Sequence, residues 1–509
     1  MKKRMELQQY ISLLEEQQLI KEAFWEKGAL SQKVEYISYD SQDIKEGTLF
    51  VCKGAHFLPK YLVDALEKGA FCYVAEKVYE EAGEAPCIIV TDIRRAMALL
   101  ADVFYDKIWK DITTIGITGT KGKSSTTYFV KSVLDEYLLA NEKAESGVLS
   151  SIDNYDGVIR EESHLTTPEA MMLHRHFQNA VDNNIDYMTM EVSSQALKYH
   201  RTLGITFDIG CFMNLGEDHI SPVEHPTLED YMESKMILMR QCETAVINKD
   251  SQYAQWAIDS ATGHAKRILT FGESEGVDVQ GYDIQPTTYG LAFRAKGKDF
   301  DEAFEIGLKG LFNISNALAA ITICHHLDVP MEYIVSGLAK ARVSGRMEVF
   351  TNPSKTITAI VDYAHNKMSF EALFDSVKEE FPGSPIIICF GCPGKKAQRR
   401  RLELGESAGT HADLVILTEE DAGEEPVHDI CLEIAGHVKD VGGKYEIIDD
   451  RGEAIKRAVE VAAEGTVILL TGKGRETRQK RGIQYIDTPS DVDYVQEFLA
   501  KNSFIFGEK

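Results

Sequence analysis

"ITTIGITGTKGKSSTTYFVKSVLDEYLL", residues 112–139, joins a β-branched apolar run to a glycine-rich turn and then to a helical pattern. The run predicts a buried strand, and Val130, Leu134 and Tyr137 fall on one face of the helix after it. A strand that turns through glycines into a helix points backbone N–H groups at a helix N-terminus, where phosphate binds. Gly122, Lys123 and Ser124 match the end of a Walker A loop, in which the lysine neutralises phosphate and the hydroxyl ligates Mg²⁺. The usual first glycine is missing: Ile117 stands five before Gly122, and the nearby glycines are Gly116 and Gly119. A glycine turn with a surface lysine is the bland alternative, and the flanking strand and helix disfavour it.

Outward from this loop the same grammar recurs. "DYMTMEV", "FDIGCFMNL" and "TAVINKD" are strand-like and alternate with helical segments, which predicts a mostly parallel sheet. Residues 273–305 read as antiparallel β attached to that unit. Before it, "GTLFVCKG", "FCYVAE" and "CIIVTD" alternate with helical stretches such as "YLVDALEKG". After it, "TAIVDYAHN", "PIIICFGCPG", "ADLVILTEED" and "GTVILLTGKGRE" each run an apolar strand into a polar or glycine-rich loop. Ligands in open α/β sheets sit at the carboxyl ends of strands, so these loops are expected to complete a shared site. With 509 residues and roughly 150 per domain, the expectation is an α/β chain of three domains. They are 1–108, then 109–341 with a P-loop ATPase-like sheet, then 342–509, Rossmann-like.

The 55 Lys and Arg against 80 Asp and Glu give a net charge of −25, which argues against nucleic acid as the main partner. The N-terminus, "MKKRMELQQYISLLEEQQLI", starts basic but lacks a continuous apolar core, so an amphipathic helix of a cytoplasmic protein without a membrane span is expected. Nine cysteines, an odd number, fit reduced thiols. Cys389 and Cys392 form a CxxC with neither a second pair nor a thioredoxin-like context, and read as thiols at the end of a buried strand.

"TGTKGKSS" resembles the phosphate loop of the Mur ligases, ADP-forming amide synthetases of cell-wall precursor assembly. The resemblance runs along the chain in the family's order: "LTTPEA" (165–170), "EVSSQALKYHR" (191–201), "NLGEDHI" (214–220), "YMESKMIL" (231–238), "NISNALAA" (313–320), "SGRME" (344–348) and "DYAHN" (362–366). It is closest to the branch that adds the third amino acid of the peptide. The resemblance implies that ATP phosphorylates the carboxylate of UDP-N-acetylmuramoyl-L-Ala-D-Glu and that a free amino acid attacks the acyl phosphate. It also implies a UDP-binding N-terminal domain and two Mg²⁺ sites; the sequence does not fix the oligomeric state, and a monomer is the expectation.

Site residues follow from the same resemblance. Gly119, Thr120, Lys121, Gly122, Lys123, Ser124 and Ser125 would hold the phosphates, Asn313 the adenine, Arg346 the phosphates on domain closure, and Asp362 the ribose, with His365 beside it. Ser124, Glu191, His219 and Lys235 would hold metal, Lys235 as a carbamate formed with CO₂; taken singly, each reads as an ordinary strand-end or surface group. A lysine reacts with CO₂ only as the free amine. Lys123, Lys235, His219 and Glu191 would form the catalytic set. Ser41, Thr166, Thr167, Ser193 and Arg201 would hold the UDP-sugar peptide, though Gln42 replaces an arginine common in the family.

The incoming amino acid is selected, in similar ligases, by a third-domain loop. Members that add meso-diaminopimelate carry Asp-Asn-Pro-Arg there, the arginine holding the distal carboxylate. Lysine-adding members resemble Asp-Asp or Asp-Asn, then Pro with Asn or Ala; in "LTEEDAGEEP" the motif's place falls to Glu420, Asp421, Ala422 and Gly423, one residue short and without arginine, so neither pattern matches cleanly. Its acids favour a distal ammonium. Lys396 stands where many relatives have arginine, while Gly472 and Glu476 of "GKGRE" complete the site as in diaminopimelate enzymes, with Arg475 or Arg478 a candidate cation. Lysine or another basic amino acid is therefore expected, with meso-diaminopimelate the alternative. A folylpolyglutamate-like ligase is disfavoured by the uridine-type segment around Ser41. A catalytically silent nucleotide-binding scaffold is disfavoured by Lys123, Ser124, Glu191, His219 and Lys235 standing together.

Overall fold

In the computed structural model the phosphate-loop strand, Thr113–Thr118, lies inside an eleven-stranded sheet. The structure describes residues 4–501 apart from 26–27, 55–56, 164, 217–219, 221–223, 288–289 and 396–397. By first residue, the strands of this sheet lie in the order 301, 291, 279, 267, 242, 207, 113, 187, 147, 153, 160. Those from 279 to 147 run parallel, and antiparallel pairs close both ends. The antiparallel reading of 273–305 holds for the hairpins at 291 and 301. Val279–Pro286 pairs antiparallel with Leu291–Lys296 and, along its other edge, parallel with Arg267–Gly272, which makes the addition continuous with the main sheet.

Parallel strands are buried on both faces, which is why these runs are apolar throughout. Ile115 and Ile117 enter one core with Phe129, Val133 and Leu318. Gly116 faces the other, where an added Cβ would meet Leu238, Phe207 and Val192, each at 3.1 Å. Three helices among the described residues pack into the first core, Met331–Lys340 through Ile334 and Leu338. Lys123–Ala140 buries Phe129, Val130, Val133, Leu134 and Leu138; Phe312–His326 is buried almost throughout, its Ala317, Ala319 and Ala320 allowing close approach. Each large apolar side chain so buried contributes ~1.5–3 kcal/mol.

The N-terminal sheet has the order 20, 87, 70, 48, 36 by first residue. The helix Leu7–Glu16 buries Leu7, Tyr10, Ile11 and Leu14, the amphipathic face expected from sequence. The C-terminal sheet has the order 348, 358, 467, 386, 414, 445, parallel except for its first strand. The carboxyl ends of its strands point the loops after Asp362, Phe390, Leu417 and Thr471 toward the phosphate loop. All nine cysteines are buried and free, Cys389 on its strand and Cys392 just beyond it. Among the described residues no helix is long and apolar enough to cross a membrane.

Candidate active site

Ile117, where a standard phosphate loop would begin with glycine, is fully buried in its strand, so the turn starts later, at Gly119. Asn214 braces that turn: its carbonyl accepts from the Thr120 N–H at 3.1 Å and its Oδ1 from the Lys121 N–H at 2.9 Å. Gly122 caps the following helix with φ +82°, in the left-handed region that favours glycine. Space makes the same demand, since a Cβ there would stand 2.2 Å from Asn316 Oδ1. The helix therefore opens its N-terminus toward a cavity of about 1230 Å³. Lys123 Nζ folds over the turn and donates to the carbonyls of Gly119 and Thr120 at 2.9 and 3.4 Å. This is a cradle suited to a nucleotide's phosphates.

Three oxygen donors meet beside it. Ser124 Oγ lies 3.2 Å from Ser151 Oγ, which lies 3.0 Å from Glu191 Oε1. Hydroxyls with a carboxylate are hard donors of the kind Mg²⁺ takes. Among the described residues no group of three His, Cys, Asp or Glu is positioned for a metal. His219 lies outside the described residues. Lys235 is buried behind the loop, where its Nζ donates to the Gly119 carbonyl at 2.9 Å and stands 4.5 Å from the centre of the Tyr231 ring.

The C-terminal sheet supplies the opposite wall. Arg346 NH2 donates to Ser124 Oγ at 3.1 Å, and its guanidinium rests 4.6 Å from the Tyr363 ring centre. Asp362 accepts from the N–H groups of Met347 and Ala364, and burial raises its pKa above the usual carboxylate range. His365 lies on the cavity, with Nδ1 2.7 Å from the Tyr363 carbonyl oxygen. The Tyr363 hydroxyl donates to Glu476 Oε1 at 2.5 Å; burial and the Glu476 charge raise its pKa well above normal.

In the short loop Asp421 and Gly423 both adopt positive φ, +47° and +61°. Most of its acids already have cations. Arg481 forks onto Glu419, Lys395 pairs with Glu424, Arg401 with Glu425, and Lys473 Nζ lies 3.1 Å from Asp421 Oδ1 and 2.5 Å from Glu476 Oε2. Burial lowers the pKa of Lys473, but Glu476 and Asp421 outweigh that and raise it. Glu420 faces the cavity, its pKa raised to about 7 by burial despite nearby Arg451, Arg400 and Lys473. The candidate cations for a distal carboxylate are engaged: Arg475 is forked onto Glu348, and the Arg478 guanidinium lies 4.5 Å from the Tyr485 ring centre.

The cavity thus gathers Thr120 through Ser125, Thr166, Glu191, Arg346, Asp362, His365, Glu420, Asp421, Gly423 and Gly472. Gly119, Lys235, Asn313, Ala422 and Glu476 are not among its lining residues. Asn313 is buried, donating to the Lys309 carbonyl and accepting from Asn316, and it is Phe312, Ser315 and Asn316 that reach the cavity from this helix. Of the predicted UDP-peptide residues Thr166 lines the cavity, while Thr167, Ser193 and Arg201 are tied to one another. Thr167 Oγ1 donates to the Glu191 carbonyl at 2.9 Å and accepts from the Ser193 N–H at 3.0 Å. Arg201 donates to the Thr167 carbonyl and, with Lys53, pairs with Glu169. Elsewhere Lys68 Nζ donates to the Ser41 carbonyl and to Gln42 Oε1, so a cation stands beside Gln42. Lys396 lies outside the described residues. Ser151, Asn214, Asn316, Tyr363, Arg400 and Tyr485 also line the cavity and were missed from sequence. Of these Asn214, Asn316 and Tyr363 stand inside the quoted motifs "NLGEDHI", "NISNALAA" and "DYAHN", whereas Ser151, Arg400 and Tyr485 lie in none of them.

Comparison with known proteins adds to this geometry. Residues 117–324 match the Mur ligase middle domain, and 345–474 the Mur ligase glutamate ligase domain. A UDP-N-acetylmuramyl-tripeptide synthetase of Bifidobacterium longum is 36% identical over 476 residues, 91% of each chain. A UDP-N-acetylmuramoyl-L-alanyl-D-glutamate–L-lysine ligase of Enterococcus faecalis is 35% identical over 506 residues, 97% of each. The solved structure of a UDP-N-acetylmuramoyl-L-alanyl-D-glutamate–2,6-diaminopimelate ligase shares the fold with a TM-score of 0.64 at 23% identity, covering 98% of this chain and 99% of that one.

Proposed function

The chain belongs to the Mur ligase family, and from that premise we propose that it adds L-lysine, or another basic amino acid, to UDP-N-acetylmuramoyl-L-Ala-D-Glu in the cytoplasm. ATP is the phosphoryl donor and ADP the product. The observation that carries this reading is the single cavity in which the phosphate cradle, the Ser124–Ser151–Glu191 oxygens and the acid-bearing 420–423 loop face one another. ATP phosphates fit the cradle of Gly122 and Lys123, with Arg346 across from them. The carboxylate of the UDP-sugar peptide approaches from the Thr166–Arg201 corner and takes the γ-phosphoryl group. The amine of the amino acid, entering beside Glu420, then displaces phosphate to form the amide. An acyl phosphate is open to hydrolysis, so the enclosing walls matter for yield as well as rate.

Ser124 and Glu191 would hold Mg²⁺, which neutralises the charge that gathers on the transferred phosphoryl group. His219 and a second Mg²⁺ belong to the same proposal. So does carbamylation of Lys235: a carbamate keeps an N–H for the Gly119 carbonyl and adds oxygens able to join the metal set. Lysine is favoured over meso-diaminopimelate because Arg475 and Arg478 are already engaged with Glu348 and Tyr485. The test is ADP release with ATP, Mg²⁺ and UDP-N-acetylmuramoyl-L-Ala-D-Glu, offering L-lysine, L-ornithine and meso-diaminopimelate in parallel. Turnover with lysine or ornithine alone supports the proposal; a preference for meso-diaminopimelate refutes the choice of amino acid, and no turnover with any refutes the acceptor.

A further inference from the structure

The segments Arg478–Arg481 and Gln484–Asp487 form a hairpin, a two-stranded sheet separate from the three larger ones. Its turn has two residues, and the first, Gly482, takes φ +62°, as short hairpin turns demand. The second is Ile483, which is 82% exposed. Tight turns favour Gly, Asn, Asp and Ser, so hairpin formation gives no reason for a β-branched apolar residue at the tip. Tyr485, also exposed, lies on the next strand with the Arg478 and Lys480 cations near its ring.

The hairpin is fastened to the loop that bears Glu420. The Gly423 N–H donates to the Lys480 carbonyl at 2.9 Å, and the Gly482 N–H to the Gly423 carbonyl at 2.7 Å. The Lys480 N–H donates to Asp421 Oδ1 at 2.8 Å, and the Asp421 N–H to Gln479 Oε1 at 2.9 Å. At the base Thr477 Oγ1 donates to Glu162 Oε2 on the central sheet at 3.2 Å. This stitching keeps Ile483 and Tyr485 on the wall of the same cavity as Glu420 and Gly472.

We infer that Ile483 and Tyr485 form the outer wall of the amino-acid subsite and pack on the methylene chain of the incoming side chain, so that the hairpin reads its length while the loop reads its charge. This rests on the ligase activity proposed above. The occupant follows from position: a basic amino acid whose distal ammonium approaches Glu420 has an apolar stem that must cross the wall beside it. The residues set substrate position and take no part in bond making.

Ile483→Ala in the full-length enzyme tests this by ADP release with L-lysine and L-ornithine. A buried methylene is worth about fourfold in affinity. The expected result is a rise of about fivefold or more in KM for lysine, a loss of most of the preference for lysine over ornithine, and unchanged kcat and KM for ATP and the UDP-sugar dipeptide. Ile483→Leu should restore the parent values. Because the side chain is exposed, the substitution leaves the fold intact, checked by an unchanged Tm. An unchanged KM for lysine overturns the inference, as does an equal rise in KM for all three substrates. Parent enzyme that releases no ADP with any of the amino acids offered overturns the ligase proposal and this inference with it, and that result is read before any variant is made.

Discussion

Replacing Glu420 by Gln should make the protein more stable at pH 8 and leave its stability at pH 5 little changed. Burial raises the Glu420 pKa from the ordinary 4.5 to about 7. Between those values the folded chain keeps a proton that the unfolded chain releases, so stability falls as pH rises through the window and the penalty is complete above it. At about 1.4 kcal/mol per pH unit the full penalty is ~3 kcal/mol. Glutamine keeps the shape and never ionises, so the variant escapes the penalty without leaving a cavity. Calorimetric unfolding of the full chain, parent against variant, should show the transition of the C-terminal sheet raised at pH 8 by several degrees, given about 2–4 °C per kcal/mol for a unit of 150–250 residues. The variant should also bind lysine less well, since it loses the carboxylate that faces the ammonium. A gain of equal size at pH 5 and pH 8, or no gain at pH 8, would refute a carboxyl held protonated by burial.

Gly122→Ala should weaken binding of a non-hydrolysable ATP analogue by more than about tenfold, because the left-handed conformation alone costs ~1–2 kcal/mol and the new Cβ would collide with Asn316 Oδ1 at 2.2 Å; titration calorimetry giving a parent-like Kd would contradict this. Lys123→Ala should reduce ADP formation by a factor of about 100 or more, since a fixed cation at the transferred phosphoryl group is removed, and near-normal turnover would sink the phosphate-loop assignment. Lys235→Ala should abolish turnover yet retain the UDP-sugar dipeptide in a filter-binding assay; unchanged turnover removes Lys235 from the mechanism.

Local grammar made the phosphate loop and the alternation of strands and helices legible. Thr113–Thr118 and Lys123–Ala140 announce themselves through apolar periodicity and glycine placement, both short-range properties. Ser151 was not legible, because its role comes from folding back beside Ser124 and Glu191, and a lone serine in a loop carries no pattern. The resemblance points to Asn313, whereas the side chain of this helix that reaches the cavity is Asn316, one turn on, and a motif cannot say which of the two faces inward. The acids at 419–425 were legible as charges but not as available charges. Their partners lie far along the chain, as with Arg481 for Glu419 and Lys473 for Asp421, and leave Glu420 as the carboxylate directed at the cavity without an ion pair among the described residues. The engagement of Arg475 was illegible for the same reason: it stands in the loop after Thr471, and its partner Glu348 lies on a strand more than a hundred residues earlier.

The stitching of the 420–423 loop to the hairpin bears on attempts to transplant specificity between enzymes. Gly423 both donates to Lys480 and accepts from Gly482, and the Asp421 backbone leans on Gln479. A graft that swaps only the loop for a longer motif from another ligase would insert a residue into a hydrogen-bonded ribbon whose other half still has the original spacing. The two segments form one interchangeable cassette, separated in sequence by more than fifty residues yet inherited in working order only when they move together.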